Sequence, residues 1–418
     1  MDRDAVASDP IASPSAATAR QDTNPSRATT DRRLLIVLCL ASFLAVVNFA
    51  APSPFFPEIA RDLGTTVPLL GQVTTILTLL SALLGLGIGP LADRYGHRRL
   101  MVGGTVAVAL NLLGTGLAPA YPLLLLLAVV GGLGDAVLFG LPLAIAATHF
   151  AGEARRRAVS WTSAGLPMGA VMGVPLLAAA GGIVDWRGIL AGVGVATLGA
   201  AWLAAAWLPA EASRRQARFR VRSLLDAYRP LLRHRPLLAL YAVSGLRAAG
   251  WVGMLTYLGA FLTDAFGFGP GRVGLSYMAA GAGAFLGSLA AAGRLGRIQP
   301  RPLVAAATAA QGLLFGAVFA LPLGAVAAVS LLPLAAFGAT VAFVGVATLL
   351  ADETPGGAAT TMALNGSVFN LGTAAGAALG GLLIALGGYG ALGIGLPAFV
   401  LMASLLALMH QPPRHRAR

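Results

Sequence analysis

At 418 residues, with 57% hydrophobic and only 11% charged side chains and a mean hydropathy of +0.79, the chain cannot present a water-compatible surface, where about a quarter of residues are normally charged. The net charge of +13 is carried by arginines in loops and tails, with no basic stripe interleaved with aromatics, which argues against a nucleic-acid partner. The single cysteine, Cys39, excludes a disulfide framework or cysteine metal site within one chain. Apolar runs of about 20 residues match the roughly 30 Å hydrocarbon core of a bilayer. Alternating strands of the barrel type are absent, so an all-α membrane protein is predicted.

Residues 1–31 are rich in Ser, Thr, Asp, Arg and Pro and are read as a disordered tail with nothing to bury. The first long apolar run begins near Leu34 and exceeds the short core of a cleaved signal peptide. Twelve spans follow, over 34–56, 68–90, 100–118, 122–147, 158–180, 188–208, 236–262, 273–292, 302–320, 324–350, 358–385 and 388–409. The implied organisation is a six-helix half over 32–208, a linker over 209–235 carrying eight arginines, a second half over 236–410, and a tail over 411–418.

Orientation follows from arginine alone, since the chain has no lysine. Arg94, Arg98 and Arg99, then Arg155 to Arg157, the linker arginines, and Arg294, Arg297 and Arg301 fall on the side of both termini, and the other side keeps only Arg61, Arg187 and Arg272. The positive-inside rule puts both termini in the cytoplasm. The arginine-for-lysine bias suggests a GC-rich bacterial source, hence the bacterial inner membrane.

Two patterns recur at nearly one offset. Gly89-Pro-Leu-Ala-Asp93 after span two is echoed by Gly293-Arg-Leu-Gly-Arg297 after span eight, 204 residues on, and Gly169 and Gly173 in span five are echoed by Gly372 and Gly376 in span eleven, 203 residues on. Such duplication is what transporters use to build alternating access.

After span two the chain reads Gly89-Pro-Leu-Ala-Asp93-Arg94-Tyr-Gly96-His97-Arg98-Arg99. A carboxylate among guanidiniums at a glycine turn can make charge-assisted bonds in one conformer and break them in another. This loop resembles the cytoplasmic signature of the major facilitator superfamily, although His97 stands where that family more often has Arg or Lys. The resemblance implies the major facilitator fold, about 12 helices in two six-helix halves. It also implies a conformational latch formed by Gly89, Asp93, Arg94, Gly96 and Arg98.

Span five carries Gly165, Gly169, Gly173 and Pro175, followed by Asp185-Trp186-Arg187. Glycines four apart line one helix face and admit a neighbouring backbone. With Asn365-Gly-Ser-Val-Phe-Asn370 on span eleven, this is similar to the drug:proton antiporter branch, namely arabinose-efflux-like and chloramphenicol-efflux-like permeases. The resemblance implies a monomeric secondary transporter exporting small organic molecules, drug-like or metabolite, in exchange for protons. One departure bears on coupling: that branch usually carries an Arg about seven residues before the position of Asp135, and Ala128 stands there. Proton-independent or sugar-directed efflux is therefore the alternative.

A charge at mid-span costs roughly 2.5–3.5 kcal/mol on insertion scales and marks a functional position by default. Asp135 on span four and Arg247 on span seven are the two such charges. On one reading, Asp135 alternately binds a proton and substrate while Arg247 tunes it or binds an anionic group, since low dielectric favours the neutral carboxyl until an opposite charge approaches. On the other, the two form a fixed pair or separate contacts that hold helices together. Asn48, Asn365 and Asn370 are further candidates for substrate contact, with Asn111 and Gln311 also in mid-span, and Trp251 and Tyr257 read either as aromatic walls or as packing and interfacial anchors. Asp264, Glu58 and Asp62 fall near span ends, where water is expected.

No phosphate-binding loop of G-x-x-x-x-G-K-[ST] type exists, and no nucleophile–base set or paired metal-ligand spacing occurs within a span. The chain is read as neither enzyme nor cofactor- or metal-binding protein, with small molecules, protons and the lipid bilayer as its partners. A non-transporting membrane receptor or an intramembrane enzyme is the remaining rival.

Overall fold

The computed structural model describes residues 25–209, 228–353 and 358–409. The expected 1–31 and 411–418 tails and the 209–235 linker lie largely or wholly outside them. Among the described residues every regular element is helical. Span one is α1 (Pro25–Ala50), followed by a 3-10 turn (Ser53–Phe55) and α2 (Phe56–Asp62). The expected helix to residue 56 stops six residues early because Pro52, Pro54 and Pro57 each withhold a backbone N–H. Span two is α3 (Val67–Gly85); its expected tail separates at Leu86-Gly87 into a short α4 (Ile88–Tyr95).

Spans three and four are α5 (His97–Leu117) and α6 (Tyr121–His149). Span five is α7 (Gly152–Met168), a π-helical turn (Gly169–Gly173) and α8 (Val174–Ala180), and span six is α9 (Trp186–Trp207). Spans seven to ten are α10 (Arg235–Phe266), α11 (Pro270–Ala292), α12 (Pro300–Ala320) and α13 (Ala325–Asp352). The last element, α14 (Ala358–Met409), contains both final spans, divided where Gly387 and Gly388 leave helical geometry. Gly388, at φ 66° and ψ −164°, adopts a conformation open to glycine alone.

The π turn has a local cause. Pro175 lies in the first turn of α8, and its ring would collide with the carbonyl four residues back in a regular helix. One wider turn just before it absorbs that conflict.

Buried apolar side chains gather into one cluster within residues 34–208 and two within 231–407, which Val174 of span five joins. The same internal contacts recur in both sets of helices. A Cβ added to Gly165 or Gly169 would lie 2.6 Å from the Cys39 oxygen or 2.7 Å from the Phe43 oxygen on span one, and one added to Gly372 or Gly376 would overlap the Gly245 or Ala249 carbonyl on span seven. Gly134 of span four likewise abuts the Gly104 oxygen of span three at 2.7 Å, and Gly338 of span ten abuts the Ala307 oxygen of span nine at 2.9 Å. These glycines are again 204 residues apart, matching the repeat. Small residues permit such backbone approach, where dispersion and weak hydrogen bonds hold membrane helices together.

The halves meet unevenly. Spans two and eleven run side by side, with Thr75 Oγ1 donating to Ala374 O at 3.4 Å and Asn370 Nδ2 to Ser81 Oγ at 3.1 Å. At the arginine-poor end, Gly259 of span seven sits on Pro54, Gly181 on Phe55 and Pro270, and Gly274 of span eight on Ala178 and Ala179. Span eight packs on the π turn and α8 but makes no comparable contact with α7 among the described residues. Spans five and eight are thus packed together toward the arginine-poor end and part toward the arginine-rich one.

Candidate functional site: two buried polar nodes

Asp135 does not meet Arg247. Its carboxyl is fully buried in the first half, where Asn48 Nδ2 of span one donates to Oδ1 at 2.9 Å. The same Nδ2 approaches Gly131 O at 3.3 Å, and Asn111 Nδ2 of span three donates to Asn48 Oδ1 at 2.8 Å. This chain of amides ties spans one, three and four together around the acid. Asp135 Oδ2 and Asn111 Oδ1 are both buried without a partner, so the node has spare acceptors. Every hydrogen-bond partner of this node belongs to the first half.

Arg247 occupies a similar place in the second half, 2% exposed. Its Nη1 donates to Ala339 O of span ten at 2.9 Å and, at 3.4 Å, toward Gln311 Oε1 of span nine. The guanidinium lies 5.7 Å from the Phe343 ring centroid, in cation–π range. Spans seven, nine and ten are thereby joined as spans one, three and four are. Ala339 falls at the repeat position of Asp135, 204 residues on, so one half holds an acid where the other offers a backbone carbonyl. Among the described residues no ion pair joins the two charges.

The other candidates separate. Asn370 is 3% exposed and holds the span two to eleven seam through Ser81. Asn365, one turn or so nearer the arginine-rich end, is half-buried with Oδ1 unpartnered. Tyr257 is fully buried, its hydroxyl donating to Ala377 O at 2.6 Å in a slot floored by Gly71 and Gly381, so it is a clasp and not an aromatic wall. Trp251 leans on Phe315 at 4.9 Å. Ser81 and Phe343 carry these arrangements without any distinguishing sequence signal, because a lone hydroxyl or Phe in an apolar run looks like ordinary packing.

At the arginine-rich end, Gly96 takes φ 91°, which only glycine adopts freely. Arg98 donates to Ala205 O and Arg94 lies over the Tyr95 ring at 5.4 Å. Asp93 is exposed and pairs with no arginine among the described residues, while Gly89 has nothing within 4 Å of where a Cβ would stand. At the other end Trp186 Nε1 donates to Asp62 at 2.8 Å and Arg187 Nη1 to Ala118 O at 2.7 Å, which fixes the start of span six. Asp62 and Asp264 are exposed there and Glu58 is half-buried.

Among the described residues eleven helices are long and apolar enough to cross a membrane, the last of them doubled by its glycine break, and with mid-span charges in two matching half-bundles they fit a polytopic membrane transporter. The model of the Major Facilitator Superfamily matches residues 38–366, and the chain belongs to that family. It is similar to the cephamycin export protein of Amycolatopsis lactamdurans, 35% identical over 40% of this chain and 34% of that protein. The match thus spans only about a third of that exporter. It also resembles the transcription regulatory protein OpdE of Pseudomonas aeruginosa, 28% identical over 90% of this chain and 92% of that one. Among solved structures, a bacterial homologue of the human lysosomal transporter Spinster, in an inward-facing and unoccupied conformation, superposes with TM-score 0.69 at 18% identity, over 91% of this chain and 95% of that one.

Proposed function

We propose that this protein exports small organic molecules by alternating access, driven by protons entering through Asp135, with its termini in the cytoplasm and the 89–98 loop acting as a latch between states. The observation that carries the reading is the state of the Asp135 carboxyl: buried, hydrogen-bonded on one oxygen by Asn48, unpartnered on the other and away from any arginine. A group held this way can accept a proton in one conformation and release it in another without breaking its anchoring bond. The export direction rests on the name of the cephamycin relative. Absence of an ATP-binding loop in the chain agrees with secondary transport. Asp93, exposed and without an arginine partner among the described residues, fits a latch that engages in the alternate state.

A proton-independent mode is the second reading, because fully buried Ala128 occupies the span-four position where the resembling branch carries Arg. The deciding experiment is accumulation of a labelled chloramphenicol-like drug in an efflux-deficient bacterium expressing the protein, with and without a protonophore. Several-fold lower accumulation, restored by the protonophore, is expected. Lower accumulation that ignores the protonophore would select the proton-independent mode. Unchanged accumulation, with the protein verified in the membrane, would overturn the drug-export reading and favour sugars and metabolites.

A further inference from the structure

We propose that the Arg247 node is a binding site for a compact monovalent anionic group, enclosed by spans seven, nine and ten. The inference goes beyond the export reading and stands whether or not transport is coupled to protons.

The orphaned atoms of the two nodes differ in kind. Around Asp135 they are acceptors, Asp135 Oδ2 and Asn111 Oδ1. Around Arg247 they are donors or can donate: Arg247 Nε, Gln311 Nε2 and the Thr308 hydroxyl, all on side chains at most 2% exposed. Gln311 has little freedom to reverse, because turning its amide would aim an N–H2 at the guanidinium that now donates to Oε1. Its Nε2 therefore points away from the arginine with no acceptor. Thr308 precedes Gln311 by three residues and shares its helix face, and this face lies against span ten, where Gly338 abuts Ala307 O and Gln311 N.

A buried guanidinium costs several kcal/mol in desolvation unless it is neutralised. The carbonyl of Ala339, the Gln311 oxygen and the Phe343 ring supply partial charge only, and they engage one edge of the cation. Unused buried donors on a guanidinium, an amide and a hydroxyl beside an uncompensated positive charge are what an anion would complete. Packing argues for size. Phe343 lies over the guanidinium, and Trp251 and Phe315, each four residues beyond Arg247 and Gln311 on their helices, meet at 4.9 Å on the adjacent turn. Such close packing favours a halide or the carboxylate of a small acid over a polyhydroxy acid.

The test uses purified full-length protein in detergent at constant ionic strength, with gluconate replaced stepwise by chloride in one series and by formate in another. The thermal unfolding midpoint and tryptophan fluorescence are followed, with Trp251→Phe identifying the signal from the site. A saturable rise in the midpoint with chloride or formate, absent in gluconate, is expected. Response to chloride alone would assign a free inorganic anion, and response to formate as well would assign a carboxylate. Gln311→Leu should weaken the apparent affinity about tenfold or more, the usual worth of a hydrogen bond to a charged group, and Thr308→Val should weaken it less. Because Arg247→Gln can impair folding, the two milder variants carry the test. Identical curves in all three salts, or an unchanged response in Gln311→Leu, would overturn the proposal.

Discussion

Replacing Asp135 by Asn should abolish the proton dependence of export while leaving the protein folded in the membrane. The substitution keeps the shape, and the new Oδ1 accepts the Asn48 amide as the carboxyl does now at 2.9 Å. What disappears is the group able to take up a proton. Asp135→Leu removes the acceptor too and leaves the Asn48 amide only its longer approach to Gly131 O at 3.3 Å. An unmet buried donor costs about 1–3 kcal/mol in soluble proteins, and the corresponding bonds average about 0.6 kcal/mol between membrane helices, so folded yield should fall in Leu but not in Asn. The measurement is proton release on substrate addition to proteoliposomes holding each variant. The Asn variant should show at least a tenfold smaller signal than the parent with equal amounts of folded protein. Full coupled exchange by that variant would reduce Asp135 to a link between spans one, three and four.

The number and placement of spans were legible because bilayer thickness sets the length of an apolar run, and the breaks followed prolines and glycines that can be read directly. Partners were a different matter. Asp135 and Arg247 stood out as mid-span charges, yet pairing them was one open reading, and the structure joins each to amides or carbonyls 64 to 92 residues away in its own half. The reason is rotational phase. A helix that is hydrophobic all round carries no stripe to say which side faces the bundle, so the direction of Asp135 or Tyr257 could not be derived. Only where glycines recur every fourth residue was a face encoded, which marked a surface for close backbone approach without naming the spans one and seven that fill it. The latch residues were legible as a charged turn, but their engagement depends on conformational state, which no motif records.

Those seams differ in how much they can yield, which sets the order of a glycine-to-alanine series. At Gly376 the new methyl would overlap the Ala249 carbonyl oxygen and lie 2.7 Å from its carbon and Cα, so backbone meets backbone and spans seven and eleven must part. At Gly173 the nearest atoms are Phe43 Cζ and Val47 Cγ2, each at 2.8 Å, ends of side chains that can turn aside. At Gly366 nothing lies within 4 Å. Overpacking typically costs about 1–3 kcal/mol, and that full range or more is expected for Gly376→Ala, with a smaller loss for Gly173→Ala. Gly366→Ala should be neutral or gain up to about 1 kcal/mol from helix propensity. Thermal unfolding of the detergent-solubilised variants, followed by the fraction remaining monodisperse, reads this order. Equal midpoints for Gly376→Ala and Gly366→Ala would mean that spans seven and eleven are not locked at van der Waals contact. They would then be free to move against each other during the transport cycle, whereas a steep loss at Gly376 makes them a rigid pair that moves as one.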